Sequence, residues 1–232
     1  MSFKSFIAAF GIAATAVAVN VGQSAVIVAF DNNNDTNPFR LSALDDQTSL
    51  SGSVIDPDYN GGTSVTLTLF NPLKGVTVTD PANPDFSTAT VSYFGTEGSG
   101  FGVGDDTTGR LERGESFTIK ADRAIRIEMF GYHEWNGDEL LHISWTQNGV
   151  AKSDVFSMAD GTGTAPANVN VTLSGIEADA NTDIVITNVS PSNAVASGRL
   201  RIRRMQISVV PEPASLSLLG IGTMGLLRRR RS

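Results

Sequence analysis

The sequence predicts an all-β fold, a single antiparallel β-sandwich of jelly-roll type, flanked by an N-terminal signal peptide and a C-terminal transmembrane helix. Three observations carry this. Short apolar runs with period-two alternation recur through residues 26–209, as in Thr63-Ser64-Val65-Thr66-Leu67-Thr68-Leu69-Phe70. Turn clusters such as Tyr59-Asn60-Gly61-Gly62, Asn136-Gly137-Asp138 and Gln147-Asn148-Gly149 separate them. The body shows almost no apolar stripe of helical period, so strands must bury their faces against other strands.

Taken in order, the strand candidates begin with Ala25 to Phe30, a compact apolar run, and Thr63 to Phe70. Val76 to Thr79, Ala89 to Phe94, Ser116 to Ala121, Ala124 to Phe130, Leu140 to Thr146, Val150 to Met158, Val169 to Ser174 and Asp183 to Thr187 follow. Asp31 to Asp58 is Asp/Asn-rich with few periodic apolar residues, and reads as a long surface excursion holding at most one weak strand or short helix. The last strand, Arg199 to Val209, changes parity: Leu200 and Ile202 share one face, and Met205, Ile207 and Val209 the other. A bulge near Arg203-Arg204 restores a single buried face. Arg199, Arg201 and Arg203 then line the opposite face, as solvated arginines pairing with an acidic body in preference to a contact with anionic lipid or polysaccharide.

Composition narrows the function. The 232 residues include no Cys, which excludes disulfides, thiolate metal sites and cysteine nucleophiles. The net charge is −7, and removing Lys4, Glu212 and the terminal arginines leaves the body more acidic still. Nucleic acid is excluded as a partner, because neutralising phosphates needs a clustered basic surface.

The ends are addresses. Lys4, the apolar run Phe6 to Val19 and the small residues Ser24-Ala25 form the three parts of a secretory signal peptide over residues 1–25, read by signal peptidase and the export machinery. Residues 210–232 comprise Pro211-Glu212-Pro213, an uncharged segment 214–227 and Arg228-Arg229-Arg230-Arg231. Fourteen helical residues reach about 21 Å, short of the ~30 Å hydrocarbon core, and the long arginines close part of that gap by snorkelling. Their charge keeps the tail's end on the cytoplasmic side while the body is exported. The two prolines break the helix outside the membrane and leave an extended segment that a protease can grip.

These three tail parts, in this order, resemble the PEP-CTERM sorting signal of Gram-negative bacteria, also called an ice-binding protein C-terminal domain, a label that implies nothing about ice. The resemblance covers the last two dozen residues. It implies an exosortase-type membrane protease that reads Pro211, Glu212 and Pro213, and a host that makes exopolysaccharide. It implies a protein anchored in the inner membrane before processing and found at the cell surface or outside afterwards. The segment Phe101-Gly102-Val103-Gly104 to Ile119, a glycine-rich turn before a strand, is also similar to uncharacterised proteins with such tails and supplies no activity.

Chemistry in the body is sparse. Asp31, Asn33 and Asp35 fall at positions one, three and five of an EF-hand loop, but Thr36 and Ser42 replace its turn glycine and bidentate glutamate. A looser Ca²⁺ site using these oxygens, or Asp105 and Asp106, is the alternative to solvated turns; otherwise no cofactor is expected. His133-Glu134 starts like a zincin helix, yet the required second histidine is Gly137. The most suggestive cluster is Tyr132, Glu134, Trp135, Asn136 and Asp138 at a hairpin tip, where a ring face stacks on a sugar and flanking oxygens bind hydroxyls. The expected function is thus a non-enzymatic, exported protein associated with exopolysaccharide. The alternatives are a carbohydrate-binding module, calcium-assisted or not, and, less favoured, a polysaccharide-active enzyme.

Overall fold

The computed structural model describes residues 25–30, 38–56, 63–97, 100–104, 109–133, 139–157, 169–191 and 200–210. Two antiparallel sheets enclose one core. The first holds β1 (Val26–Ala29), β5 (Phe94–Glu97), β6 (Gly100–Val103), β8 (Ile125–His133), β11 (Val169–Ala178) and β13 (Arg201–Val209). Its order is β11-β8-β13-β6-β5, and β1 also pairs with β13. The second holds β2 (Ser49–Asp56), β3 (Thr63–Lys74), β4 (Thr90–Val91), β7 (Ser116–Ala121), β9 (Leu140–Gln147), β10 (Val150–Ser157) and β12 (Asp183–Asn188). Its order is β10-β9-β12-β7-β3-β2, with β4 on β3.

Alternation builds the core. Val65, Leu67 and Leu69 of β3, Phe117 and Ile119 of β7, and Ile184 and Ile186 of β12 all point inward and are at most 1% exposed. They meet Ile127, Phe130, Ile202, Met205 and Ile207 from the other sheet in one cluster. Phe30, Phe94, Phe101 and Phe117 interlock there edge to face, with centroids 4.7 to 6.2 Å apart, the arrangement the ring quadrupoles favour.

The expected bulge in the last strand is present. Register between β13 and β8 shifts between Ile202 and Arg204, which returns Met205 and Ile207 to the core face. The arginine stripe is corrected: Arg201 is buried, Arg203 is half-buried, and Arg199 lies outside the described residues.

Two expectations about loops are also corrected. The stretch Asp31 to Asp58 supplies Phe39, Leu41 and Leu44 to the core, the latter two on a four-residue helix α1 (Leu41–Leu44), and also contains the full strand β2. Val76 to Thr79 is not a strand and contributes only an isolated bridge, Thr77 to Asp85. Asp80 accepts hydrogen bonds from the Ala82 N–H and the Asn83 amide, and this turn ends the extended run. The segment is joined to the second sheet's outer side, Val76 N–H donating to Gly114 and the Arg113 guanidinium to Val78. Ser116, Thr118, Thr187 and His142, all on outward positions, are consequently buried.

Candidate functional site

The strands run between two ends with different equipment. At one end β1 begins and β13 finishes: Val26 pairs with Ile207, and Val210 donates its N–H to Ala124 O at 2.9 Å. At the other, β8 and β12 finish and β9, β11 and β13 start, as the pairs His133 to Arg201, Tyr132 to Val169 and Leu141 to Asn188 establish. The segments 134–138, 158–168 and 192–199 leave from and return to this second end.

Of the proposed sugar-binding cluster, only Tyr132 is described, and it is a core residue. It is 1% exposed and packs against Phe130 with centroids 6.1 Å apart. No hydrogen-bond partner for its hydroxyl is found among the described residues, and burial holds its pKa well above the usual phenol value. A ring so enclosed offers no face to a sugar. Glu134, Trp135, Asn136 and Asp138 lie outside the described residues, as do the calcium candidates Asp31, Asn33, Asp35, Asp105 and Asp106. So do Pro211, Glu212, Pro213 and Arg228 to Arg231. Among the described residues no three acidic or histidine side chains gather to hold a metal, and no helix is long and apolar enough to cross a membrane.

His142 sits in β9 and is 6% exposed, held by a hydrogen bond with the Ala82 backbone while its Nδ1 has no partner among the described residues. Desolvation lowers its pKa below the ordinary 6.5, more than the Ala82 bond and the carboxylates of Asp154 and Asp80 raise it. It fills space beside Ala82 of the 75–89 segment, and among the described residues no three acidic or histidine side chains gather to hold a metal there.

Sequence reasoning did not find the groove on the outer side of the first sheet. In register across four strands lie Ala29 of β1, Arg204 of β13, Gly131 of β8 and Asn170 of β11. Arg204 crosses Gly131 to reach Asn170 Oδ1, donating from Nε at 3.1 Å and Nη2 at 2.7 Å. A Cβ on Gly131 would lie 2.4 Å from Arg204 Cγ, so glycine makes the crossing available. Ile27, Tyr132 and Arg203 complete an open groove of ≈ 210 Å³. The sequence signal was the bulge itself, which turns Arg204 to this face.

The last strand of this two-sheet body ends at Val209 and the sequence continues into the Pro-Glu-Pro tail, which marks the chain as one with a C-terminal sorting signal. A family model described as the PEP-CTERM protein-sorting motif matches residues 209–231, and the chain carries that motif. The match spans Pro211, Glu212, Pro213 and the arginine cluster, and brings with it export, a membrane-anchored stage and processing by an exosortase-type membrane system. No curated protein and no solved structure matches the chain.

Proposed function

We propose that this is a non-enzymatic exported protein whose jelly-roll body acts in or on the extracellular polysaccharide layer after exosortase-type processing. The observation that carries the reading is the position of the sorting motif, which the match begins at residue 209, inside β13. Processing at Pro211 to Pro213 therefore leaves every described strand in the mature protein. At the other terminus β1 begins at Val26, immediately after the expected signal-peptide cleavage at Ser24 or Ala25, so removal of the leader also spares the fold.

The jelly-roll reading is supported by strand order. From β6 onward, β6-β13-β8-β11 faces β7-β12-β9-β10, which is the order produced when an eight-stranded ribbon is rolled into two Greek keys. A surface-layer role is supported by the acidic, cysteine-free composition, which suits a soluble body that gains nothing from oxidising conditions.

Mass spectrometry of the mature C-terminus, from native cells and from the medium, tests the reading. A new terminus between Pro211 and Pro213, with Arg228 to Arg231 gone, is expected. An intact Ser232 confined to the membrane fraction would make the tail a plain anchor and end the proposal.

A further inference from the structure

The outer groove of the first sheet has the chemistry of a carboxylate receptor. Guanidinium carries five N–H donors in a planar fork. Asn170 Oδ1 takes those of Nε and one of Nη2. Among the described residues nothing takes the edge formed by Nη1 and the second Nη2 hydrogen, and that edge has the spacing of a bidentate carboxylate. The orienting partner is a neutral amide, so the full positive charge of Arg204 is retained. Among the described residues no carboxylate pairs with Arg204. Two described acids of the same sheet, Glu177 and Glu128, are engaged elsewhere: Glu177 with Arg126 and Gln147, and Glu128 with Gln206 and Ser208.

The rest of the groove fits a sugar ring carrying that carboxylate. Ile27, 54% exposed, and Ala29 form an aliphatic wall, and Arg203 borders the groove at the bulge. A volume of ≈ 210 Å³ is below the roughly 300 Å³ at which sites for whole small ligands begin, so the groove receives one unit of a longer chain that continues past its open ends. Register pairing across β1, β13, β8 and β11 holds the fork in place before any ligand arrives, which removes most of the ordering cost of binding.

We propose that this groove binds the carboxylate of a uronate unit in an acidic polysaccharide, with Arg204 as the ligand-binding residue and Asn170 as its positioning residue. The proposal rests on the polysaccharide-layer reading above and names the polymer class. It also explains how an acidic body associates with an acidic matrix. With a net charge of −7, diffuse electrostatics repel a polyanion, so binding must come from a local site that works within a Debye length of about 10 Å at 0.1 M salt.

The test is retention of the full-length chain, in neutral detergent, on immobilised polygalacturonate and on the same polymer fully methyl-esterified. Retention on the acid form is expected, with elution by free galacturonate. Binding is expected to fall about tenfold or more on the ester, in Arg204→Gln, and in Asn170→Asp, which neutralises the guanidinium without changing size. Arg126→Gln, whose arginine is already paired with Glu177, is expected to bind like the parent chain. Unchanged binding in both Arg204→Gln and Asn170→Asp would overturn the proposal, as would elution by inorganic phosphate but not by galacturonate. Equal retention on acid and ester forms would refute the carboxylate site while leaving the polysaccharide reading standing. Failure to bind either polymer, together with failure to bind the host's own exopolysaccharide, would refute both.

Discussion

Gly102→Ala is a sharp test of how β6 is built. Gly102 lies between Phe101 and Val103, both at most 1% exposed, and every residue of this strand is buried. A Cβ there would lie 1.8 Å from Arg110 C, 2.0 Å from Arg110 O and 2.3 Å from Leu111 N. All three are backbone atoms, so no rotamer change relieves the clash. Reaching the 3.4 Å of ordinary contact requires the 110–111 backbone to retreat by about 1.6 Å. That retreat breaks the bonds Val103 N–H to Arg110 O, 3.0 Å, and Leu111 N–H to Leu200 O, 2.6 Å, and unseats the buried Leu111. Two backbone hydrogen bonds at about 1 kcal/mol each plus overpacking of about 1–3 kcal/mol give a loss of about 3–5 kcal/mol. At roughly 2–4 °C per kcal/mol, the melting temperature falls by about 6–20 °C. The comparison variant is Gly149→Ala in the β9–β10 turn, where φ is +73° and nothing lies within 4 Å, so that only the left-handed backbone costs about 1–2 kcal/mol. Urea unfolding followed by circular dichroism measures both. If Gly102→Ala is no more damaging than Gly149→Ala, the close approach of residues 110–111 is not what holds β6.

Tyr132→Phe removes a buried hydroxyl that lacks a partner among the described residues, and should raise stability by about 1 kcal/mol in the same urea assay; a loss instead would mean that the hydroxyl bonds to a group outside them. His142 has a folded-state pKa below its unfolded 6.5, so the unfolded chain binds the extra proton: its contribution is complete above pH 6.5 and lost as pH falls through the folded value. A stability profile from pH 8 to 5 should decline in the parent and flatten in His142→Gln, whereas the hydrogen-bonded Asp80 and Asp85, with pKa values below 3.8, add their decline only in stronger acid. A chain stopped after Val210 should keep its β circular dichroism and cooperative melting, while one stopped after Arg204 should lose both, because Met205, Ile207 and Val209 are core residues of a strand paired on both sides.

What was legible in the sequence was local. β7 begins and ends where its alternation does, and the β13 bulge follows from apolar residues that change parity within one run. β2 was obscured because its inward row reads Leu50, Gly52, Val54: a Cβ on Gly52 would meet Pro38 Cβ at 2.5 Å, and the buried Phe39 packs beside it. β6 looked like a turn for a related reason, since a glycine placed for close approach carries the same letter as one placed for a bend. Val76 to Thr79 alternates like a strand and lacks only a neighbour to pair with along its length, which no local pattern reports. The groove depends on residues 29, 131, 170 and 204, joined only by register across four strands, and so has no contiguous signature. The sorting motif is contiguous, and for that reason it was fully readable.

The position of β13 ties folding to sorting. It is an interior strand of its sheet, between β8 on one side and β1 and β6 on the other, so the sheet cannot close until residue 209 has joined it. The matched motif starts at that residue, which leaves no linker between the folded body and Pro211-Glu212-Pro213. Closing the core and bringing the motif to its final distance from the body are therefore one event. On the reading proposed above, the end of the body where β13 finishes faces the membrane; the nine residues of β13, at about 3.3 Å each, put the other end about 30 Å away. The Arg204 row lies toward that outer end, with Gly131 and Asn170 within two residues of where β8 finishes and β11 begins. A polymer bound there, as proposed, would approach from the end opposite the sorting motif, and cleavage beyond Val210 would remove neither a described strand nor a groove residue.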